Sequence, residues 1–206
     1  MNLTSSGLKK NNKLSKMEKR RSLLLKIIYL LVIAVTVAAD QITKCIATSY
    51  FEYEGQSVTA IKGLLDFTYV LNDGATAGML SEHRWVFMSV SSVVIVAIVA
   101  YLMVSKSTGL FMGISFSMVA GGGIGNMIDR VSTGAVVDFF DVTAVNFFPF
   151  NCIFNVADVF VCVGCALLIL AYIIEEVRES KKNRVQSAEE TSDGDETDGT
   201  CNAAEK

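Results

Sequence analysis

The chain has 206 residues, 51% of them hydrophobic, and its mean hydropathy is +0.44. This composition excludes an ordinary soluble or disordered chain and indicates an integral membrane protein. The formal net charge of −3 averages a basic beginning and an acidic end, and no nucleic-acid partner is expected.

Four apolar segments approach the roughly 20 helical residues that a bilayer core requires. They cover residues 23–45, 85–104, 109–128 and 156–174. The sequence therefore predicts an all-α integral membrane bundle of four transmembrane helices within residues 22–178. A basic tail, residues 1–21, precedes the bundle, and a disordered acidic tail, residues 179–206, follows it. β-Branched and aromatic residues within residues 56–71 predict one or two short strands, a small extracytoplasmic β element.

Positive charge determines the expected orientation, because short loops rich in Lys and Arg remain in the cytoplasm. Such residues precede the first segment, separate the second from the third as Lys106, and follow the fourth. Both termini are therefore predicted to be cytoplasmic, with residues 46–84 and 129–155 on the outer side. A secretory signal cleaved after Val37-Ala38-Ala39 is a competing interpretation. The length of the apolar run and the polar cluster that begins at Asp40 argue against it.

Cysteine and histidine give little sign of metal or nucleophilic chemistry. Cys162 and Cys165 form a C-x-x-C within an apolar helix without a second ligand pair, so packing residues are expected rather than a zinc site. Cys45 and Cys152 are both expected near the outer face, and whether they pair is left open. His83, the single histidine, is expected at the membrane interface.

Two aspartates, Asp138 and Asp158, lie in apolar surroundings beside these segments. An ionisable group near hydrocarbon is costly, so such a residue is a functional hypothesis by default. Other conspicuous polar residues fall at the same predicted outer end: Asp40, Lys44, Asn72, Asn126, Asp129, Arg130 and Asn155. This one-sided distribution predicts acid–base chemistry at the outer membrane boundary. The alternative is a membrane transporter or binding protein whose carboxylates carry protons or cations, which would place polar groups at mid-depth.

Local spacing predicts which of these side chains are neighbours. Asn126, Asp129 and Arg130 are three and four residues apart and share a helical face, so their side chains are expected to bond one another and to present Arg130 to a ligand. The structural alternative is a local ion pair of Asp129 with Arg130 that fixes the helix end. Asn155 and Asp158 are also three apart and share a face. The third segment contains glycines that allow close approach of a helix or a substrate: Gly121, Gly122, Gly123 and Gly125.

Five motifs follow one another along the chain: Asp40-Gln-x-x-Lys44, Asn72-x-Gly74-x-x-x-Gly78, Gly125-Asn126-x-x-Asp129-Arg130, Val136-Val137-Asp138-Phe139 and Phe154-Asn155-x-Ala157-Asp158. In this order on a four-span scaffold, over residues 23–175, they resemble the lipoprotein signal peptidase (signal peptidase II) family. A different class of intramembrane aspartyl protease is disfavoured because its Gly-x-Gly-Asp motif is absent.

The resemblance implies a bacterial intramembrane aspartyl endopeptidase of the cytoplasmic (inner) membrane. Such an enzyme removes signal peptides from prolipoproteins, cutting before a cysteine that carries a diacylglyceryl group. Lipidated precursors and membrane lipid are the implied partners, and no metal, organic cofactor or oligomer is required.

By motif, the resemblance assigns the catalytic dyad to Asp138 and Asp158. Asp129 is the rival for one dyad position, and it is placed in a supporting role because Arg130 adjoins it. Substrate binding or site support is implied for the remaining motif residues: Asp40, Lys44, Asn72, Gly74, Asn126, Asp129, Arg130, Asn155 and Ala157. Ala77 departs from the family pattern, which usually has an aromatic residue there.

Overall fold

The structure, a computed structural model, describes residues 5–73, 84–105, 108–143 and 153–193. These contain four helices, α1 (Ser5–Tyr50), α2 (Arg84–Val104), α3 (Leu110–Ser132) and α4 (Val156–Asp193). Three of them contain a segment long and apolar enough to cross a membrane: Ser15–Tyr50, Leu110–Ser132 and Val156–Arg184. In α2 the apolar segment is shorter, Met88–Val104. The described chain is therefore mostly helical, with several apolar helices of spanning length.

Two helices extend beyond the predicted spans. The 46 residues of α1 measure roughly 70 Å at 1.5 Å per residue, more than twice the ~30 Å hydrocarbon core. Its basic beginning is rich in Lys, Arg and Leu, which are good helix formers. At the other end α4 continues to Asp193, so residues 179–193 are helical where disorder was predicted. Glu, Lys, Arg and Ala have high helix propensity even where the segment has no apolar face to bury.

The strands form one antiparallel sheet in the order β1 (Ser57–Ile61), β2 (Leu65–Asn72), β3 (Val136–Asp141) and β4 (Ile153–Phe154). The hairpin of β1 and β2 confirms the strands predicted within residues 56–71. The other two strands were not predicted, because β3 follows α3 after a short turn and β4 has only two residues. The sheet, α1 to α3 and α4 as far as Leu167 belong to the first of two compact units, and the second begins at Leu168.

A bulge in β2 determines which side chains face β3. Phe67 pairs with Phe140, whereas Val70 pairs with Asp138, so β2 contains one more residue than β3 over this stretch. Because side chains alternate between the two faces of a strand, the extra residue moves Asn72 onto the face of Asp138. Without the bulge, the side chain of Asn72 would point to the opposite face.

Helix α3 packs closely on its neighbours through the predicted glycines. A Cβ atom at each position would lie within 3 Å of a neighbouring helix: Gly121 faces Thr36 of α1, Gly122 faces the carbonyl of Ala157 of α4, and Gly123 faces Ile95 of α2. Small residues at such positions let helix backbones approach in a membrane, where lipid supplies no hydrophobic force between helices. In the described chain these glycines therefore serve helix packing.

The structure contradicts one prediction for cysteine and does not test the others. Cys162 and Cys165 have free thiols exposed on the surface of α4, so they do not pack in the interior of the described unit. Cys45 is also free and exposed. Cys152, its suggested partner, and His83 lie outside the described residues.

Candidate active site

Asn155 contacts both of the predicted aspartates. Its side-chain Nδ2 donates to Oδ1 of Asp138 at 2.7 Å, and its backbone N–H donates to Oδ2 of Asp158 at 3.2 Å. Asn155 is fully buried, whereas Asp158 is only half-buried. One residue therefore brings the two carboxylates to the same place, at the junction of the sheet with α4.

The start of α4 explains the position of Asp158. Asn155 immediately precedes the helix, and its Oδ1 accepts the backbone N–H of Asp158 at 3.0 Å, while the Asp158 carboxylate accepts the backbone N–H of Asn155. This reciprocal pair has the geometry of a capping box, which satisfies backbone donors at a helix start. The positive end of the helix dipole also favours a carboxylate at this position. The three-residue spacing predicted from sequence is thus realised as a helix cap.

The alternation of side chains along β3 determines where the Asp138 carboxylate points. Its neighbours Val137 and Phe139 pack into an apolar cluster with Ala47 of α1 and with Phe51, which follows that helix, so the carboxylate points to the other face of the strand. There Asn72, brought to the same face by the bulge, donates its Nδ2 to Oδ2 of Asp138 at 2.9 Å.

Asn126 of α3 contacts the second aspartate. Its Nδ2 donates to Oδ1 of Asp158 at 2.7 Å, and its Oδ1 accepts from Lys44 Nζ at 2.8 Å and from Asn155 Nδ2 at 2.9 Å. The ammonium group of Lys44 can only donate hydrogen bonds, so the amide oxygen of Asn126, and not its nitrogen, must face Lys44. The amide nitrogen of Asn126 is thereby turned towards Asp158.

Lys44 is a buried cation between two buried carboxylates. Its Nζ lies 2.8 Å from Oδ2 of Asp40 and 2.7 Å from Oδ2 of Asp129, and the residue is only 3% exposed. Asp40 extends this arrangement to α4, because its Oδ1 accepts the backbone N–H of Ala157 at 3.0 Å. These contacts join α1, α3 and α4 beneath the aspartate pair.

The predicted ion pair between Asp129 and Arg130 is wrong. The carboxylate of Asp129 is bound by Lys44, by Gln41 Nε2 at 3.0 Å and by the backbone N–H of Val137 at 3.2 Å. The Arg130 guanidinium instead donates to the carbonyl oxygen of Asn126 at 3.4 Å. The spacing of Asn126, Asp129 and Arg130 shows that they share a face of α3. The cation that pairs with Asp129 is nevertheless Lys44 of α1.

Sequence reasoning missed Gln41, although it stands within the first motif. Its side-chain Nε2 lies within hydrogen-bond distance of Asp129, of Asp40 at 3.2 Å and of the carbonyl oxygen of Gly125 at 3.2 Å. Its position next to Asp40 in the sequence could have indicated that Gln41 belongs to the site. Gly74 and Ala77 lie outside the described residues.

An apolar cavity of about 380 Å³ lies beside β3. It lies between the end of α1 and the sheet, and its lining includes Ile46, Tyr50, Phe67, Phe139 and Phe140. Phe139 is the chain neighbour of Asp138, so this cavity and the aspartate pair lie beside the same strand.

Burial raises the pKa of Asp138 from its ordinary 3.8 to about 6. The hydrogen bond from Asn72 opposes this change, while the charge of Asp158 adds to it; Asn155 and Lys44 act in the lowering direction. Removal of a carboxylate from water and the proximity of a like charge both disfavour ionisation. Asp138 is therefore suited to hold a proton close to neutral pH.

Replacing Asp138 by Asn is expected to change the pH dependence of stability. A carboxyl whose pKa is raised on folding contributes stability below about pH 4, and that contribution is lost as the pH rises through about 6. Two pKa units correspond to at most about 3 kcal/mol. The Tm of the variant relative to the wild type should therefore increase by several degrees between about pH 4 and pH 7.5. A difference in Tm that stays constant over this range would contradict the raised pKa.

The fold and the site define a membrane protein in which amide side chains hold two aspartates at one end of its helices. Comparison with known proteins gives the family. The family model described as signal peptidase (SPase) II matches residues 32–174. The chain belongs to the signal peptidase II family and is thus a peptidase of the aspartic type.

Among curated proteins, the chain is similar to lipoprotein signal peptidases of several bacteria. It is 38% identical to that of Brevibacillus brevis over 76% of this chain and 99% of the relative. With the Listeria monocytogenes protein the identity is 40%, over 74% and 96%. The Bacillus subtilis protein is 34% identical, over 75% and 99%.

Solved structures support the same fold. A bacterial membrane enzyme determined by the in meso method at 2.3 Å resolution superposes with a TM-score of 0.64 at 33% identity, covering 72% of this chain and 89% of that one. A second, determined by the same method at 1.9 Å, gives 0.63 at 34% identity, over 70% and 92%.

Proposed function

We propose that this chain removes the signal peptide from prolipoproteins, cutting before a cysteine that carries a diacylglyceryl group, with Asp138 and Asp158 as the catalytic pair. The observation that carries the assignment is the pair of hydrogen bonds from Asn155 to the two carboxylates. The names of the relatives support the substrate class.

The reaction needs a water held between the two carboxylates. Asp138, whose pKa is raised to about 6, holds the proton and polarises the scissile carbonyl. Asp158 takes a proton from the water, which attacks the carbonyl carbon to give a tetrahedral intermediate. As the C–N bond breaks, a proton passes to the leaving amine, and no acyl-enzyme forms.

The amides and the buried lysine keep this pair in position. Asn72 and Asn155 each donate to one oxygen of Asp138, and Asn126 donates to Asp158. Lys44 then fixes the orientation of Asn126. Because these donors already lie in place, little reorganisation is needed as charge moves between the carboxylates. Asp129 serves in the support of the site rather than in the dyad, since three donors already bind its carboxylate.

The protein is oriented with both termini in the cytoplasm and the site near the outer face of the membrane. Support comes from the basic residues in the first part of α1 and from those that follow the apolar part of α4. The aspartate pair and the sheet lie where α1 and α3 end and α4 begins, which is the end remote from those charges. In this orientation α2 is the fourth transmembrane helix.

The apolar cavity lined by Phe139 suits an apolar part of the substrate. Burial of each methylene group is worth about 0.8 kcal/mol relative to water, and less when the group leaves an apolar bilayer. The cavity therefore contributes position more than affinity. A transporter, the alternative function, gains no support from the family match, and the buried charges cluster at one end of the helices.

The test uses the purified chain in detergent with one precursor in two forms, with and without the diacylglyceryl group. Cleavage is expected to increase the gel mobility of the lipidated form and to leave the unmodified form intact. Equal cleavage of both forms would refute the lipid requirement. Failure to cleave either form, by protein shown to be folded, would refute the proposed function.

A further inference from the structure

Two residues of the site lie at the paired ends of β2 and β3. Leu71 of β2 is the register partner of Val137 of β3. Asn72 follows Leu71 in the chain and donates to the carboxylate of Asp138, which follows Val137. The position of the pair formed by Leu71 and Val137 therefore determines whether this amide and this carboxylate stay within hydrogen-bond distance.

At this pair, both backbone N–H groups point away from the partner strand. In an antiparallel sheet, directly paired residues either exchange hydrogen bonds with each other or direct their backbone groups outwards, in alternation along the strands. Val137 N–H donates outwards to Oδ2 of Asp129 at 3.2 Å, and Leu71 N–H donates outwards to Oε1 of Glu54 at 3.1 Å. A carboxylate thus binds each outer edge of the same register pair.

Each carboxylate takes the place of a strand that has ended. The pairing of β1 with β2 ends at Thr68, and the pairing of β4 with β3 ends at Phe140. Beyond these points, within the part of the chain that the structure describes, no third strand reaches Leu71 or Val137. Backbone donors at a sheet edge otherwise bond to water, which does not fix the position of the strand end. The two carboxylates supply acceptors from fixed positions instead.

The turn before β1 places Glu54 beside the bulge of β2. Gly55 has a φ of +87°, a conformation that favours glycine, and its N–H donates to the carbonyl oxygen of Tyr69 at 2.8 Å. Tyr69, which lies within the bulge, donates its own N–H to the carbonyl oxygen of Gln56 at 3.0 Å. The turn therefore binds the bulge through its backbone, and the Glu54 side chain extends this contact to Leu71.

We propose that Glu54 is a positioning residue for the reaction: its carboxylate holds the end of β2 so that Asn72 stays bonded to Asp138. Its counterpart on β3 is Asp129, which belongs to one of the five motifs. Glu54 lies outside those motifs, and its role follows only from the pairing of the strands. The expected effect on the reaction rests on the proposed function, whereas the expected effect on the Asp138 carboxyl group does not.

Three variants of the purified full chain test the acceptor at this position. Glu54→Ala should lower kcat for the lipidated precursor about threefold to tenfold with little change in KM, because a misplaced amide weakens transition-state stabilisation. Glu54→Gln should stay within about twofold of the wild type, since its amide oxygen also accepts the Leu71 N–H. Glu52→Ala removes the same charge from an exposed position in the same connection and should leave kcat unchanged. A normal rate in Glu54→Ala, or a rate in Glu54→Gln as low as in Glu54→Ala, would overturn the proposal.

A cycle of single and double variants with Asn72→Ala separates this role from a general loss of stability. If Glu54 acts through Asn72, adding Glu54→Ala to Asn72→Ala should lower kcat by less than about a further twofold. If the two separate effects on kcat multiply in the double variant, Glu54 acts elsewhere and the proposal is wrong.

The pKa of the Asp138 carboxyl group gives a readout that needs no substrate. The hydrogen bond from Asn72 lowers this pKa, so its loss in Glu54→Ala should let the pKa rise, as it should in Asn72→Ala. Loss of the Glu54 charge by itself would lower the pKa, so a rise reports the lost hydrogen bond. Asp158 and Lys44, the charged groups that act on this pKa, are unchanged in both variants.

The measurement is an NMR titration in detergent of the full chain labelled with ¹³C at its aspartate carboxyl groups, with Asp138→Asn used to assign the signal. An Asp138 pKa in Glu54→Ala equal to or below the wild-type value would overturn the proposal. A raised pKa in this variant, together with a wild-type chain that cleaves no precursor, would support the positioning role and refute the proposed function alone.

Discussion

Replacing either Asp138 or Asp158 by Asn is expected to lower kcat by at least about 10³-fold while the protein stays folded and inserted in the membrane. The amide keeps the shape of the carboxyl group but neither accepts a proton from water nor donates one to the leaving amine. Both variants should still bind the lipidated precursor, since binding depends on the apolar surroundings and the neighbouring amides. The measurement is single-turnover cleavage of that precursor, with thermal unfolding as the check on folding.

Asp141→Asn provides a matched control for this pair. Asp141 lies on the same strand as Asp138, three residues further along, and the hydroxyl of Thr68 donates to it at 3.1 Å. The same chemical change outside the dyad should keep kcat within about threefold of the wild type. Normal cleavage by either dyad variant would refute the catalytic assignment. A loss in Asp141→Asn as large as theirs would show that the substitution acts through the fold of the strand.

Replacing Lys44 by Met is expected to destabilise the protein strongly and to abolish activity. Removal of the cation leaves Asp40 and Asp129 buried beside each other without their shared partner, and breaking a buried ion pair costs about 3–5 kcal/mol. Asn126 also loses the donor that fixes its orientation. The Tm in detergent and the rate of precursor cleavage measure the two effects. Lys62→Met, at an exposed position between β1 and β2, should change neither.

A second substitution identifies the cause of this destabilisation. Adding Asp129→Asn to Lys44→Met removes one of the two uncompensated charges, so the double variant should be more stable than Lys44→Met alone. Activity should stay low, because no lysine then orients Asn126. If the two substitutions simply add in their effects on Tm, the ion pair does not stabilise the fold as described.

Sequence and structure agree where the contact is local to one element. Asn155 and Asp158 stand three residues apart at the start of an apolar run, and this spacing is realised as a helix cap. The sequence also predicted the long apolar segments, the strands within residues 56–71 and the role of the α3 glycines in close helix packing. Each reflects a periodicity or a side-chain size that the chain carries in itself.

Contacts between elements could not be predicted in this way. Strand register and helix packing determine which of several possible partners a side chain contacts. Asp129 pairs with Lys44 of α1 rather than with its neighbour Arg130. The way α1 and α3 cross determines whether Lys44 or Arg130 lies nearer to Asp129. The spacing of residues along one helix does not contain that information.

The amino-acid sequence by itself therefore determined the class of protein, the two aspartates and most of the polar residues around them. The tertiary structure alone decided how those residues meet. One extra residue in β2 brings Asn72 to the face of Asp138, and the side chain of Asn155, just before α4, donates to Asp138 of β3. A one-residue difference in strand register reverses every side chain beyond it, so such contacts depend on long-range pairing that no local pattern encodes.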